Sequence, residues 1–441
     1  MTRVPVDFAG AGEGDEELSW GQQSIYRAMM RQRTWIPIGG ISTPAPGATV
    51  DDIADELRYL MSRHQTMRTR LRLLPDGRPR QVVHARGVID LEVVDAGDDD
   101  PARVAAAVLH RYEHTRLAFE QEWPVRMAVV RSHGTLTHQV SIFCHLVTDQ
   151  AGGAVMLAEL QSRTTAPVTG LSSLEQARWQ RSEAGRRRHR AAERYWEAQL
   201  RTLVPPAGQS TDRCSPRFRQ AEFRSPATLL AVQAIAARLR VDSAPVVLAL
   251  VAAALAETTG VAPVVLRPIV NNRFQPGLAG VVANVSQAAL CVLDVAGVGF
   301  DVAVERTRRA SLAASKHAYF DPVAMDELID RVSSERGVDV DVRCFYTDRR
   351  SSAAGGAVPA TDEITAALPH TTFCFSAEHD RPANSLMWFV DDAPGALAFS
   401  VIVDTHFMSP ADIEACLYAA EAIAVRAALE PAPNAPAAAH V

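Results

Sequence analysis

His145 and Asp149 stand four residues apart in the stretch FCHLVTDQAGGAVMLAEL, Phe143 to Leu160. Imidazole changes protonation near neutral pH, so a His held in one orientation can take a proton from an attacking nucleophile. The stretch starts as the end of an apolar strand, passes through a polar loop and continues as a small-residue helix. Loops carried by a rigid scaffold are where such chemistry tends to sit. Two strand-like runs, PVRMAVVRS and LTHQVSIFCH, flank Gly134 and are expected to pair antiparallel, the second delivering His145. His110, His133 and His138 have no such setting and are read as surface or packing residues.

A chain of 441 residues exceeds what one hydrophobic core normally serves, so two domains are expected. Apolar content of 47% and charged content of 22% fit a globular protein, and a net charge of −6 offers no basic field for nucleic acid or an anionic membrane. The six cysteines (Cys144, Cys214, Cys291, Cys344, Cys374, Cys416) show no CxxC and no His pairing at metal spacing, so no metal site is expected. The start, MTRVPVDFAGAGEGDEEL, is acidic and Gly-rich without the apolar core of a signal peptide, and residues 1–15 are read as unstructured. The longest apolar run, APVVLALVAAALAETTG, is too short to span a membrane and reads as a buried helix. A soluble, cytoplasmic monomer is the expectation.

Helices are expected over Glu17–Met30, capped by Ser19, and over Asp51–His64, with Ile53, Leu57, Leu60 and Met61 on one face. RHQTMRTRL, Arg63 to Leu71, leads into a strand; PDGRP then makes a turn, QVVH a strand, and Pro101–Arg116 a helix. A long helix over Leu174–Leu200 contains GRRRHR, either a basic patch for a phosphorylated partner or, preferably, a solvated face neutralised by Glu183 and Glu193. Residues 204–217, rich in Pro, Gly and Ser, read as a linker between lobes at 16–203 and 218–430. The second half repeats strand and helix, with helices at Ala227–Leu239, Val302–Lys316, Pro322–Glu335 and Pro410–Leu429 and a disordered tail at 431–441. Alternation in both halves argues for two α/β sandwich lobes.

CHLVTDQ resembles the HHxxxDG motif of nonribosomal peptide synthetase condensation domains, members of the chloramphenicol-acetyltransferase-like superfamily with core motif HxxxDG; Cys144 replaces the first His and Gln150 the Gly. ELSWGQQ is similar to the family's first motif through Ser19 and Gln22, RHQTMRTRL to its RHExLRTxF, and YWEAQL to its Y-W-x-x-x-L. NNRFQPGLAGVVANV resembles the segment with an Arg followed by G-x-x-x-N-T, placing Arg273, Gly280 and Asn284 in register.

The resemblance implies two acetyltransferase-like lobes in a V-shaped pseudo-dimer with a central tunnel. It makes His145 the catalytic base, with the dipole of the following helix favouring neutral imidazole and helping to hold an oxyanion. Asp149 becomes a structural carboxylate paired with an arginine, Arg68 or Arg273 being the candidates, and Asn284 a support residue. Cys144 is then a small buried hydrophobe, a device reshaping the donor channel, or a nucleophile, the last without any feature lowering its thiol pKa. Gln150 narrows the donor side or adds a hydrogen bond. The implied activity joins an acyl or aminoacyl thioester, carried on the phosphopantetheine arm of a carrier protein acting in trans, to an amine or alcohol. The alternatives are a degenerate fold that recruits a carrier or partner enzyme, and a coenzyme A-dependent acyltransferase. No bound cofactor is implied.

Overall fold

The computed structural model describes residues 1–203, 210, 214–351, 358–380 and 384–430; most of the expected linker 204–217 and all of the tail 431–441 lie outside them. The chain divides into two compact units, one of Met1–Arg190, Asn271–Gln287 and Tyr319–Val323, the other of Ala191–Val270, Ala288–Ala318 and Ala324–Val441. This is not the linear split expected at 204–217. The boundary falls inside a helix, and two later segments return to the first unit.

The first unit runs β1 (Thr2–Ala9), β2 (Gly14–Glu17), α1 (Trp20–Gln32), β3 (Pro37–Ser42), α2 (Val50–Arg63), β4 (Thr69–Leu73), β5 (Pro79–Val83), β6 (Arg86–Asp95), α3 (Pro101–His114), β7 (Val125–Ser132), β8 (Thr135–Cys144), α4 (Gln150–Ser162) and α5 (Ser173–Arg181), with α6 (Glu183–Leu200) crossing into the second. Its main sheet has the order β1-β6-β7-β8-β3, and β2-β5-β4 form a smaller one. The strand β1 corrects the reading of residues 1–15 as unstructured: it pairs antiparallel with β6 along its whole length, from Thr2 opposite Val93 to Ala9 opposite Arg86. Alternation in TRVPVDFA buries Val6 and Phe8, a period-two signal that the acidic, Gly-rich sequence after it obscured.

The expected Leu174–Leu200 helix is broken at Ser182, whose backbone is extended (ψ 167°). The Ser182 hydroxyl donates to the Trp179 carbonyl and accepts from Gly185 N, closing α5 and opening α6. Past the unit boundary α6 buries Ala192, Trp196 and Leu200, and the Arg267 guanidinium lies 5.0 Å from the Trp196 ring.

The remaining elements are β9 (Phe218–Ser225), α7 (Pro226–Leu239), α8 (Ser243–Thr259), β10 (Val264–Val270), β11 (Gln287–Ala288), β12 (Cys291–Leu293), α9 (Phe300–Lys316), α10 (Pro322–Arg336), β13 (Cys344–Asp348), α11 (Thr361–Ala367), β14 (Thr372–His379), β15 (Leu386–Ala393), β16 (Ala396–Asp404) and α12 (Pro410–Leu429), all in the second unit save the first residue of β11 and the first two of α10. The sheet order is β11-β10-β13-β15-β16-β9-β14, with β12 beside β10. The apolar helix α8 is buried from Val246 to Ala252 in this unit's core. Among the described residues no single helix is long and apolar enough to cross a membrane; α7 and α8 meet the length and composition test only together, bent by 118°.

Candidate active site

The strand β8 lies between β7 and β3, both antiparallel to it. Past its end the backbone is still held: Cys144 N donates to Pro124 O at 2.8 Å and His145 N to Ile36 O at 3.0 Å. The half-buried His145 directs Nδ1 to the Thr148 carbonyl at 2.8 Å. A carbonyl only accepts, so this contact favours a proton on Nδ1 and the lone pair on Nε2, over the longer 3.3 Å approach of the Asn284 amide nitrogen to Nδ1. Asn284 donates from Nδ2 to the His145 carbonyl at 2.7 Å, fixing the backbone that bears the imidazole.

Asp149 is the N-cap of α4 and is only 2% exposed. Its Oδ1 accepts from Gly152 N at 2.8 Å and Arg273 Nη2 at 2.8 Å. Its Oδ2 accepts from Arg273 Nη1 at 3.0 Å, Val285 N at 3.1 Å and Ser286 Oγ at 2.8 Å. Burial alone would raise the Asp149 pKa, but the Arg273 guanidinium, the Gly152 amide and the Ser286 hydroxyl outweigh it and hold the carboxyl below its ordinary range. With its lone pairs engaged, Asp149 has no capacity left to accept a substrate proton. Its partner is Arg273, as one of the two expected candidates.

This carboxylate explains why Asn271–Gln287 leaves the second half of the chain for the first unit. Arg273, Val285 and Ser286 close on Asp149, and Arg273 Nη2 also reaches the carbonyls of Val281 (3.0 Å) and Ala283 (3.3 Å). Thr66 Oγ1 donates to Val282 O at 2.9 Å. The helix α1 comes so close that a Cβ on Gly21 would lie 2.1 Å from the Asn284 carbonyl oxygen, so this helix position must be Gly. In the same segment Asn272 (φ 53°) and Gly277 (φ 79°) have left-handed backbone. Gly280, the glycine in motif register, has no positive φ, and a Cβ there would meet nothing nearer than Thr169 Oγ1 at 3.4 Å, so neither its backbone nor its surroundings require glycine.

Arg68 does not meet Asp149. It is fully buried and donates to the carbonyls of Gly12 (2.9 Å), His84 (2.6 Å) and Ala11, bracing the loop between β1 and β2. The rest of its motif anchors α4 instead. Arg63 forms a two-point pair with Glu159, both contacts at 2.8 Å, and His64 Nε2 lies 3.0 Å from the same carboxylate. Burial pushes the His64 pKa down to about 4, against the opposing pull of Glu159, so this imidazole is neutral at pH 7.

Cys144 is 0% exposed, packs in the first unit's core and donates Sγ–H to the Trp35 carbonyl at 3.4 Å. Successive strand residues face opposite sides, so it points away from the side on which His145 emerges. Burial pushes its thiol up to about 12, leaving no thiolate for a nucleophile. The burial fits the small-hydrophobe reading, and the raised thiol pKa argues against the nucleophile reading. Gln150, by contrast, is exposed at the first position of α4. The tight place in this loop is Gly152, where a Cβ would sit 2.6 Å from Thr148 Oγ1 and 3.0 Å from Arg273 Nη2. The Gly152 amide is already engaged by Asp149, so it is not available to the oxyanion that the helix end was expected to help hold.

Sequence reading missed Ser286, the backbone donor Val285 and Gly21. Only Ser286 carried a visible signal, a hydroxyl two residues beyond Asn284. In the basic run of α6, Glu183 meets Arg190 at 2.9 Å, Arg187 at 3.6 Å and Arg186 at 3.7 Å, as the neutralised-face reading expects, whereas Glu193 lies 4.0 Å from Arg331 and not on the run.

A family model described as condensation domain matches residues 46–339. The structure is similar to that of the condensation domain that mediates chain release from the enacyloxin polyketide synthase (TM-score 0.71, 19% identity, 96% of this chain and 84% of that one). It is also similar to the SgcC5 protein from Streptomyces globisporus (TM-score 0.67, 19% identity, 94% and 99%). The first condensation domain of the calcium-dependent antibiotic synthetase aligns as well (TM-score 0.67, 17% identity, 95% and 97%). No curated protein matches the sequence.

Proposed function

Because the chain belongs to the condensation-domain family, we propose that it is a condensation enzyme that joins a carrier-bound acyl or aminoacyl thioester to an amine or alcohol. His145 Nε2 takes the proton from the attacking nitrogen or oxygen as that atom bonds to the thioester carbonyl carbon. The C–S bond then breaks, and the imidazolium returns the proton to the departing phosphopantetheine thiolate, leaving an amide or ester. The Thr148 carbonyl, 2.8 Å from Nδ1, orients the ring and stabilises its transient positive charge. Asp149 stays ionised and bound to Arg273, holding the loop that carries His145. In this reading the carrier is presented in trans and the donor arm is a substrate, not a resident cofactor.

The observation that carries the proposal is the 2.8 Å contact between His145 Nδ1 and the Thr148 carbonyl, which a proton on Nδ1 satisfies and which leaves the lone pair on Nε2. The replacements at 144 and 150 do not weigh heavily against it, since Cys144 is core packing and Gln150 is on the surface. The test is mass spectrometry of acyl-loaded carrier proteins mixed with candidate amines and alcohols. Acyl transfer that saturates with carrier and is not supported by the coenzyme A thioester is expected. Equal or better use of the coenzyme A thioester would assign a coenzyme A-dependent acyltransferase. Tight carrier binding with no transfer for any acceptor would favour a recruiting role.

A further inference from the structure

The helix α12 carries a carboxylate on its buried face. Glu421 is 6% exposed, beside Leu417, Ala420 and Ala424 in the second unit's core. The hydroxyls of Ser225 and Thr371 both donate to its Oε2, and no described cation pairs with it. A carboxylate so far removed from water is costly unless a positive group completes it. Glu421 also lines a groove of about 740 Å³, which is within the size of small-molecule sites. The walls are apolar: Leu368, Tyr418 and Leu429 are 37%, 40% and 38% exposed, and Val425 lies between them. Arg426 and Glu430, one charge of each sign, also line the groove, so its lining carries a net negative charge and Glu421 is the buried part of it.

We infer that this groove binds an apolar small molecule carrying an ammonium group, with the cation on Glu421 and the body over Leu368, Tyr418, Val425 and Leu429. The Glu421 oxygen not engaged by Ser225 and Thr371 takes the ammonium N–H, and the apolar body packs on the lining side chains. A neutral or anionic ligand of the same shape would leave the carboxylate uncompensated. The site lies wholly in the second unit and does not depend on the condensation reading.

The probe is dansylcadaverine, a naphthalene body with a primary amine, compared with its N-acetylated, uncharged analogue. Fluorescence titration of the full chain should show saturable one-site binding of the amine. The acetylated probe should bind about tenfold more weakly or worse, the scale of one charge-assisted hydrogen bond. Glu421→Gln should remove that preference. Because Glu421 also ties down Ser225 and Thr371, a second variant is needed: Ala422→Trp fills the groove from an exposed position and should abolish binding with the circular dichroism spectrum unchanged. His145→Ala should bind the probe like wild type, which separates this groove from an amine-accepting active site. Equal affinity for the two probes, or undiminished binding by Ala422→Trp, overturns the inference. So does dimerisation that Ala422→Trp abolishes in a chain that binds neither probe, which would give the groove to a second copy.

Discussion

Replacing Asp149 with Ala should damage the fold before it damages the chemistry. The variant leaves Arg273, whose side chain is 10% exposed, without its carboxylate, and takes the acceptor from Val285 N and Ser286 Oγ. Breaking a buried pair in this way costs about 3–5 kcal/mol, and the two abandoned donors push the figure toward the upper end. For a unit of this size that is a melting temperature lower by roughly 6–20 °C. Urea unfolding followed by tryptophan fluorescence gives the same quantity as a shifted midpoint. Asp149→Ala with Arg273→Ala should cost less than the two single changes added together, because the second removes the charge that the first strands. The pH dependence has a fixed sign. The folded Asp149 pKa is depressed, so its contribution is fully present above the unfolded value of about 3.9 and is lost as pH falls through the folded value. The stability gap between wild type and Asp149→Asn should therefore be constant above about pH 5 and close in more acid solution. An Asp149→Ala protein that unfolds at the wild-type midpoint, yet has lost turnover, would refute this and make Asp149 a chemical participant.

Cys144 should resist iodoacetamide in the native protein up to pH 9 and react on unfolding, since its thiol is pushed to about 12; prompt native alkylation, read by peptide mass spectrometry, would contradict its place in the core. Arg68→Met should destabilise by about 1–3 kcal/mol, by stranding buried carbonyls of Ala11, Gly12 and His84. Its kcat should be unchanged under conditions where it is folded, and a selective loss of kcat would return Arg68 to the site. Gly152→Ala should cost about 1–3 kcal/mol through its clash with Thr148 and Arg273, whereas Gln150→Gly, at an exposed position, should stay within about 1 kcal/mol; the reverse order in urea midpoints would show that the tight place in the loop is misassigned.

The strand–loop–helix corner bearing His145, the α12 span and an arginine partner for Asp149, narrowed to Arg68 or Arg273, were readable because each rests on local pattern or motif register. What escaped was non-local. No periodicity tells which unit a loop packs on, so the return of Asn271–Gln287 to the first unit, and with it Ser286, Val285 and the need for Gly at 21, stayed hidden. Arg68 looked like a partner for Asp149 because sequence marks a buried cation without saying that backbone carbonyls will satisfy it. The orientation of Cys144 could have been read: alternation along β8 already puts it opposite His145. The break at Ser182 was invisible against strong helix formers on both sides, since it depends on one hydroxyl serving two helix ends.

The base role of His145 is tested most directly by single-turnover acyl transfer from a loaded carrier to an amine, comparing wild type with His145→Ala. With Nδ1 held by the Thr148 carbonyl and Nε2 as the base, the variant should unfold at the wild-type midpoint and transfer roughly a hundredfold more slowly or worse. Transfer at the wild-type rate by a folded His145→Ala protein would contradict it.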